Sequence, residues 1–391
     1  MIKLLIVSDS LRVGGIQRSL ENLLNVIDYQ KYEVTLFLFH YEAEYINKIN
    51  KNVKVLSGNI LLSIANTTSL EARKKGRLYF VIRKIFALFC LVLGSNLVYK
   101  FMNLFETKKV GYDVAISFSN NIDNRSVYFG SNKFVLEKTK ANRKITWLHV
   151  DYKEMNLNNV LNRREYEKFD SIVHVSYAVE KSFLAYFPEM KNRSKVIYNA
   201  VPVSQIERLS EEINVKKSAH FTIVSVGRLD ENKSPLSYIH VARYLKEMKI
   251  DFHWTIIGDG PKKTELLINI EESQLSENIT FLGEVKNPYP YMKNADLFVS
   301  ASKSESFGLA IAEALALETP VVVRYFPAIE ELVTNNINGI ISYGGDDSLA
   351  DCVFSILDDT RMLASIKSNA KLLINSDLVI KQFENLMIID S

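Results

Sequence analysis

Short apolar runs, each followed by turn residues and then by a helical pattern, recur from one end of the chain to the other. This alternation predicts an α/β protein built on parallel sheets, with helices on both faces. In the first half, strands are predicted at residues 2–7, 34–39, 53–56, 114–118, 144–149 and 171–175. In the second half, they are predicted at residues 222–226, 254–257, 279–282, 297–300, 321–323 and 339–341.

The length of the chain and one change in its pattern predict two domains. At 391 residues, the chain is longer than one hydrophobic core usually organises. A polar stretch at residues 204–220 separates the first series of strands from the second. The expected domains are residues 1–199, residues 200–376 and a final helical segment at residues 377–391.

Composition excludes several classes of protein. With 47% hydrophobic and 24% charged residues, the chain is an ordinary folded protein rather than a disordered or fibrous one. A formal net charge of +3 gives no support for a nucleic-acid partner at this length. Cys90 and Cys352 lie far apart and have no metal-ligand spacing, so we interpret both as reduced core residues.

The chain has no segment typical of secretion or membrane spanning. The first apolar run ends at Ser8, Asp9 and Ser10 without the features of a signal peptide. The apolar region at residues 78–105 is interrupted by basic residues such as Arg83, which disfavours a spanning helix. These features predict a cytoplasmic protein.

Residues 73–109 form a basic amphipathic region with two open interpretations. Basic side chains alternate there with leucine, isoleucine and phenylalanine, and Glu71 and Glu106 are the neighbouring acids. The region could lie on an anionic membrane and contact it peripherally. It could equally be a buried helix with solvated basic ends.

The strand at residues 297–300 leads through a loop into a helix predicted at residues 310–317. Ligands bind at the carboxyl edge of such sheets, where helix N-termini favour anions. Glu305 and Glu313 flank the helix start, and Glu313 has apolar neighbours among which a charge needs a partner. The candidate ligand-binding residues here are Glu305, Ser306, Phe307, Gly308, Leu309 and Glu313. The alternative is that both glutamates are solvated surface residues.

Three further strand ends contribute candidates to the same edge. Arg228 and Lys233 follow the strand at residues 222–226 and could clamp a diphosphate without a metal. Gly258 lies in a Gly-Asp-Gly-Pro turn that allows close backbone approach to a ligand. Val285 follows the next strand and is a candidate contact for a nucleotide base.

The first half of the chain has two candidates of its own. Gly14 and Gly15 follow the first strand but lack the Gly-x-Gly-x-x-Gly pattern of a dinucleotide site. They fit a loop whose backbone lies against a sugar or phosphate. His149 stands at the carboxyl end of the strand at residues 144–149, although a lone histidine is more often structural.

The order of these motifs resembles the second domain of retaining GT-B glycosyltransferases of family 4, the glycosyl transferases group 1. The matching segments are Gly227-Arg228-Leu229 with Lys233, then residues 257–261, residues 281–283 and residues 305–313. The resemblance covers residues 224–323. It implies a GT-B fold, in which two Rossmann-like doubly wound domains face each other across a cleft.

The resemblance also implies a role for each candidate. Arg228 and Lys233 would bind the diphosphate, Glu305 the donor sugar and Glu313 the ribose. His149 would touch the donor sugar near the reacting centre, and with Glu305, Arg228 and Lys233 it completes the predicted catalytic set. Gly14 and Gly15 would face the donor across the cleft. The final segment, with helical spacing at Leu378, Ile380, Phe383 and Met387, would cross back to the first domain rather than pack on its own.

The implied reaction is sugar transfer from a UDP- or GDP-linked donor with retention of configuration. The leaving phosphate would help to remove the acceptor's proton, so neither a protein nucleophile nor a metal or other cofactor is expected. The expected acceptor is a glycan or a lipid-linked glycan of bacterial surface polysaccharide or glycolipid assembly. Two alternatives are a nucleotide-sugar epimerase of the same fold and a noncatalytic sugar-binding module.

Overall fold

The computed structural model describes residues 1–12, 14–42, 46–119, 125–128, 130–153, 155, 157, 160–215 and 219–388. The chain folds into two compact units. Unit 1 contains Met1–Ala200 and Asp377–Ser391, and unit 2 contains Val201–Ser376. Residues 389–391 of the predicted final segment lie outside the described residues.

Unit 1 is built on a parallel sheet of seven strands within the described residues, in the order β3-β2-β1-β4-β5-β6-β7. The strands are β1 (Ile2–Ser8), β2 (Tyr32–Leu38), β3 (Lys54–Ser57), β4 (Lys109–Ser117), β5 (Thr139–Leu148), β6 (Ser171–His174) and β7 (Ser194–Val196). The central strands are buried on both faces, and each side chain from Leu4 to Val7 is 0% exposed. Continuous apolar runs of this kind are typical of parallel strands covered by helices.

The helices of unit 1 connect successive strands. They are α1 (Gly15–Val26), α2 (Ile60–Ala65), α3 (Ser69–Lys74), α4 (Arg77–Leu93), α5 (Ser95–Leu104), α6 (Ser131–Lys138), α7 (Val160–Tyr166) and α8 (Tyr177–Leu184). A 3₁₀ helix at Pro188–Arg193 precedes β7.

Unit 2 repeats this plan with six strands in the order β10-β9-β8-β11-β12-β13, all parallel. Its strands are β8 (Phe221–Val226), β9 (Phe252–Ile257), β10 (Ile279–Gly283), β11 (Leu297–Ser300), β12 (Val321–Arg324) and β13 (Gly339–Ser342). Its helices are α9 (Val203–Ser210), α10 (Leu236–Glu247), α11 (Lys263–Glu272), α12 (Tyr289–Lys293), α13 (Leu309–Ala316), α14 (Asp346–Asp358) and α15 (Thr360–Asn369). A 3₁₀ helix at Pro327–Glu331 follows β12.

These two sheets confirm the predicted α/β architecture, and the strand bounds differ from the predictions mainly at β4 and β5. Both strands begin earlier than predicted, at Lys109 and Thr139. Their first residues pair with each other and are interrupted near Gly111, whose φ is 85°. Backbone hydrogen bonds hold this extension, and they do not depend on apolar side chains. The pattern of apolar residues therefore did not predict it.

The last helix, α16 (Ser376–Met387), packs on unit 1. Phe383 is 2% exposed, and its ring lies edge-on to Tyr32 at 5.5 Å between centroids. Lys31 donates to Glu384 over 2.6 Å, and Arg143 donates to the carbonyl oxygen of Leu386 over 2.7 Å. The sequence placed Leu378 on the packed side of this helix, but Leu378 is exposed and its neighbour Val379 is buried. The helix is rotated so that Val379 faces inward.

Among the residues that the structure describes, no helix combines the length and the hydropathy that crossing a membrane requires.

Phe383→Ala is expected to lower the free energy of unfolding of unit 1 by about 3 kcal/mol, because it leaves a cavity against Tyr32. The two tryptophans fall one in each unit, Trp147 and Trp254. Urea unfolding followed by fluorescence in a Trp254→Phe background therefore reports on unit 1. Leu378→Ala is the control, and an equal loss in both variants would contradict the assigned packing.

Candidate nucleotide-sugar site

A pocket opens in unit 2 at the carboxyl ends of β8 and β11, which are neighbours in the sheet. The loops that follow these two strands carry its charged residues. The pocket is lined by Ser225, Val226, Gly227, Arg228, Leu229, Lys233, Pro235, Tyr238, Ile256, Ile257, Ser300, Ser302, Glu305, Ala310 and Ile311. Three of the predicted catalytic residues, Arg228, Lys233 and Glu305, therefore lie on one surface.

An ion pair joins Lys233 to Glu305 across this pocket. The side chains are 25% and 19% exposed, so both charges are partly withdrawn from water. Ser302 also donates its hydroxyl to Glu305, over 3.0 Å. The backbone amide of Lys233 donates to the carboxylate of Asp230 over 3.0 Å, which fixes the turn that carries the lysine.

Further hydrogen bonds fasten the two loops to each other. Asn232 accepts from the backbone amide of Lys303 over 2.8 Å, and its side-chain amide donates to the carbonyl oxygen of Ser304 over 2.8 Å. On the outer side, Glu231 accepts from Lys262 and Lys303, and these hydrogen bonds lower the pKa of its carboxyl group. The pocket wall is thus fixed by backbone contacts as well as by the ion pair.

Arg228 differs from Lys233 in how it is held. Its side chain is 73% exposed, and its Nε lies 3.5 Å from the carboxylate of Asp230. A contact this long and exposed contributes little to stability. The guanidinium can therefore reorient toward an anion in the pocket at small cost.

The glycines of the turn after β9 pack against the loop that carries Arg228. A Cβ added to Gly258 would lie 1.8 Å from the carbonyl oxygen of Gly227. One added to Gly260 would lie 2.3 Å from the carbonyl oxygen of Leu229. Gly258 also has a φ of 145° and donates its amide to Gly283 over 2.8 Å. Close backbone approach is indeed required here, and the partner observed is the neighbouring loop.

The helix that begins beside the pocket starts at a glycine in the left-handed region. Gly308 has a φ of 92° and precedes Leu309, the first residue of α13. Within the described residues, no side chain caps this helix. Phe307 is buried, and Ser306 and Leu309 are partly buried. Ala310 and Ile311 of the first turn line the pocket.

Glu313 has a different position from Glu305. It is 7% exposed on the inner side of α13 and accepts a hydrogen bond of 3.0 Å from the hydroxyl of Tyr289. It does not line the pocket described above. Val285 is partly exposed in the segment between β10 and α12, the helix that carries Tyr289. Their roles at the ribose and the base stay predictions.

The remaining candidates belong to unit 1 and lie at the carboxyl edge of its sheet. Gly14 and Gly15 are exposed where α1 begins. His149 directly follows β5 and packs against the rings of Phe118 and Trp147, with centroids at 4.6 and 6.5 Å. Burial lowers the pKa of His149 to about 3, so its imidazole is neutral near pH 7.

Unit 1 contains a second group of titratable side chains, whose charges are balanced by neighbouring cations. His40, Glu42 and Glu71 lie close enough to share one ion. However, Arg12 lies 2.7 Å from Glu71, and Lys75 lies 3.3 Å from the His40 ring. Because two side-chain cations already stand among these groups, their arrangement does not favour a metal ion.

The sequence of unit 2 matches the family described as glycosyl transferases group 1 over residues 207–373. The chain is 29% identical over 229 residues to the Campylobacter jejuni N-acetylgalactosamine-N,N'-diacetylbacillosaminyl-diphospho-undecaprenol 4-alpha-N-acetylgalactosaminyltransferase. That match covers 57% of this chain and 61% of the length of the relative. A second C. jejuni protein is 25% identical over 377 residues, covering 95% of this chain and 93% of that protein. It is the GalNAc-alpha-(1->4)-GalNAc-alpha-(1->3)-diNAcBac-PP-undecaprenol alpha-1,4-N-acetyl-D-galactosaminyltransferase.

Solved structures are also similar to this chain. Anabaena Alr3699/HepE in complex with UDP and glucose matches 99% of both chains with a TM-score of 0.69 and 18% identity. At that identity the likeness establishes the fold, which is the GT-B fold. The chain has the GT-B fold. Residues 207–373, within unit 2, are similar to the glycosyl transferases group 1.

In this GT-B protein, the sequence predicted the charged residues of the pocket but not several neutral residues in the pocket and near it. Ser302 orients Glu305, Tyr289 holds Glu313, and Tyr238 lines the pocket beside Ser225. One available signal was Ser225, a polar residue near the end of a mainly apolar strand. Its hydroxyl donates to the carbonyl oxygen of Val299 over 2.7 Å and so joins β8 to β11.

His149 makes the stability of unit 1 depend on pH. Its folded-state pKa of about 3 lies below its ordinary value of 6.5, so between these values the unfolded state binds the extra proton. This contribution is fully present above pH 6.5 and is lost as the pH falls toward 3. Burial lowers the pKa of His174 in the same way. Each of these two rings is expected to contribute up to about 1.4 kcal/mol per pH unit to the slope of the free energy of unfolding in this window.

His149→Gln is expected to lower that slope by up to about 1.4 kcal/mol per pH unit, measured by urea unfolding at pH 4 to 7 in the Trp254→Phe background. The slope is diagnostic even if the variant is less stable at every pH. His240→Gln in unit 2 is the control. An unchanged slope in His149→Gln would contradict a buried, neutral ring.

Proposed function

We propose that this protein transfers a sugar from a UDP- or GDP-linked donor to a glycan acceptor. One observation carries the proposal: two cations and a carboxylate, Arg228, Lys233 and Glu305, line a single pocket at the carboxyl edge of the unit 2 sheet. A nucleotide diphosphate sugar presents two phosphates beside a ring of hydroxyl groups. Cations suit the phosphates, and a carboxylate suits the hydroxyl groups.

The charges of the pocket fit the leaving group of this reaction. Breaking the bond to the sugar leaves additional negative charge on the diphosphate, which Arg228 and Lys233 would stabilise. Lys233 is already fixed by its turn and by Glu305, so little reorganisation is needed at that position. Arg228 is exposed and would close on the phosphates when they arrive. In this proposal the two side chains replace a metal ion.

Glu305 would accept hydrogen bonds from the donor sugar. Its two oxygens can serve the sugar and Lys233 at the same time, and Ser302 holds the carboxylate in place. Glu313 would meet the ribose hydroxyls after a change of its contact with Tyr289. Gly308 and the first turn of α13 would supply backbone amides, and Val285 would contact the base.

We further propose retention of configuration, with the departing phosphate assisting removal of the acceptor's proton. The side chains of the unit 2 pocket support this mechanism because they offer cations and a paired carboxylate rather than an activated nucleophile. The protein then acts by positioning and charge stabilisation. His149 remains a predicted catalytic residue of unit 1. Its neutral ring would act through a hydrogen bond rather than through charge.

The acceptor class that the relatives support best is a lipid-linked glycan. The two C. jejuni relatives are named for transfer to undecaprenol-linked glycans. We propose an acceptor of this kind in bacterial surface polysaccharide or glycolipid assembly. The lipid carrier would hold this acceptor at the inner face of the cell membrane.

A screen of UDP-, GDP- and ADP-sugars by thermal unfolding tests the donor. A donor present at 100 times its Kd should stabilise the folded protein by about 2.7 kcal/mol and raise the Tm. The best donor should do so in EDTA. No shift with any of the sugars would contradict the proposal.

Glu305→Gln is expected to lower transfer from that donor at least about 100-fold, because the carboxylate loses its charge toward both Lys233 and the sugar. Product analysis should separate sugar transfer from isomerisation of the donor. Glu277→Gln, at an exposed acid of unit 2, is the control. Full activity in Glu305→Gln would exclude the assigned role.

A further inference from the structure

The outward side of α4 and α5 in unit 1 is apolar. Many of its large side chains are more than half exposed. Among them are Leu78, Leu88, Val92, Leu97, Phe101 and Leu104, which are between 51% and 73% exposed. Exposed apolar residues in such number on two consecutive helices are unusual on a protein surface and mark an interaction site.

The inward side of the same helices attaches them to unit 1 through polar contacts and through buried apolar residues such as Phe86, Cys90 and Met102. Arg83 is 5% exposed and donates to the carbonyl oxygen of Thr67 and, over 2.6 Å, to the hydroxyl of Tyr128. Tyr99 donates to the carbonyl oxygen of Val127 over 2.8 Å. A surface helix normally turns polar residues outward. Here leucines are exposed on the outer side in addition to the apolar residues buried on the inner side, so burial in unit 1 explains only the inner part of the apolar pattern.

The apolar side is surrounded by positive charge. Residues 73–109 contain nine lysines and arginines, and their one acid is Glu106. Lys74, Arg77, Lys84 and Lys100 are exposed on or beside α4 and α5. Apolar side chains bordered by lysine and arginine match the interface of an anionic bilayer, where headgroups lie above acyl chains.

The dimensions of the helices favour a position along the membrane surface rather than through it. α4 has 17 residues and carries Arg83 and Lys84 at its middle, whereas a spanning helix needs about 20 mainly apolar residues. Gly94, with a φ of 82°, ends α4 and starts α5. A single glycine therefore connects the two helices, without a polar loop between them.

We propose that α4 and α5 insert their outward leucine, valine and phenylalanine side chains into the headgroup region of an anionic membrane. A second copy of the chain is a less suitable occupant. In a twofold symmetric pair the same patch meets itself, so its basic residues would face one another.

The position of this surface connects it to the acceptor. Val127 and Tyr128, which hold α5 and α4, belong to the connection that leads from the carboxyl end of β4 to α6. Gly14 and His149 lie at the same edge of the sheet. A membrane-bound helix pair would thus bring this edge near a lipid-linked glycan. This link to the acceptor rests on the proposed function, whereas membrane binding itself does not.

Flotation of the full chain with phosphatidylcholine vesicles, with or without 30% phosphatidylglycerol, tests the proposal. The wild type should float with the anionic vesicles and dissociate as salt is raised. Leu88→Asp/Val92→Asp should reduce partitioning at least about tenfold. The matched control is Leu267→Asp/Ile268→Asp, an exposed apolar pair on α11 of unit 2, which should bind as the wild type does. Lys84→Gln/Lys100→Gln should weaken binding about thirtyfold.

Several results would overturn the proposal. One is a folded wild type that floats with neither kind of vesicle, and another is equal binding by Leu88→Asp/Val92→Asp. A third is a wild-type dimer in sedimentation that the same substitutions convert to a monomer, because the patch would then be a protein interface. The vesicles contain neither donor nor acceptor, so failure to find transfer activity would leave this outcome unaffected.

Discussion

The ion pair between Lys233 and Glu305 joins the loops that follow two neighbouring strands of unit 2, β8 and β11. It brings a cation for phosphate and a carboxylate for sugar hydroxyls into one pocket and compensates both charges before a ligand arrives. Removing either partner would leave the other partly buried without its counter-charge. The donor site therefore depends on the same contact that holds the two loops together.

Much of this arrangement could be predicted from the sequence. The strands are continuous apolar runs, and in a parallel sheet the carboxyl ends of all strands lie at one edge. Arg228, Lys233 and Glu305 follow such ends and were therefore expected to lie close together. Their pairing could not be predicted, because it links residues far apart in sequence through side-chain geometry. The contacts of Ser302 with Glu305 and of Tyr289 with Glu313 were missed for the same reason.

Gly258 and residues 73–109 show two other limits of sequence reasoning. A glycine indicates close approach but does not identify what approaches, and at Gly258 the structure shows the carbonyl oxygen of Gly227. Helical periodicity likewise identifies faces without saying which one the protein covers. In α4, the buried charge of Arg83 and the exposed Leu88 are distinguished only once Thr67 and Tyr128 are seen to contact the arginine.

Hydrogen exchange with mass spectrometry, with and without a saturating UDP- or GDP-sugar, tests the central claim most directly. If the donor occupies the unit 2 pocket, amide exchange should slow in residues 227–233 and 302–309, the two loops joined by Lys233 and Glu305. Donor binding that leaves exchange in both segments unchanged would contradict the account.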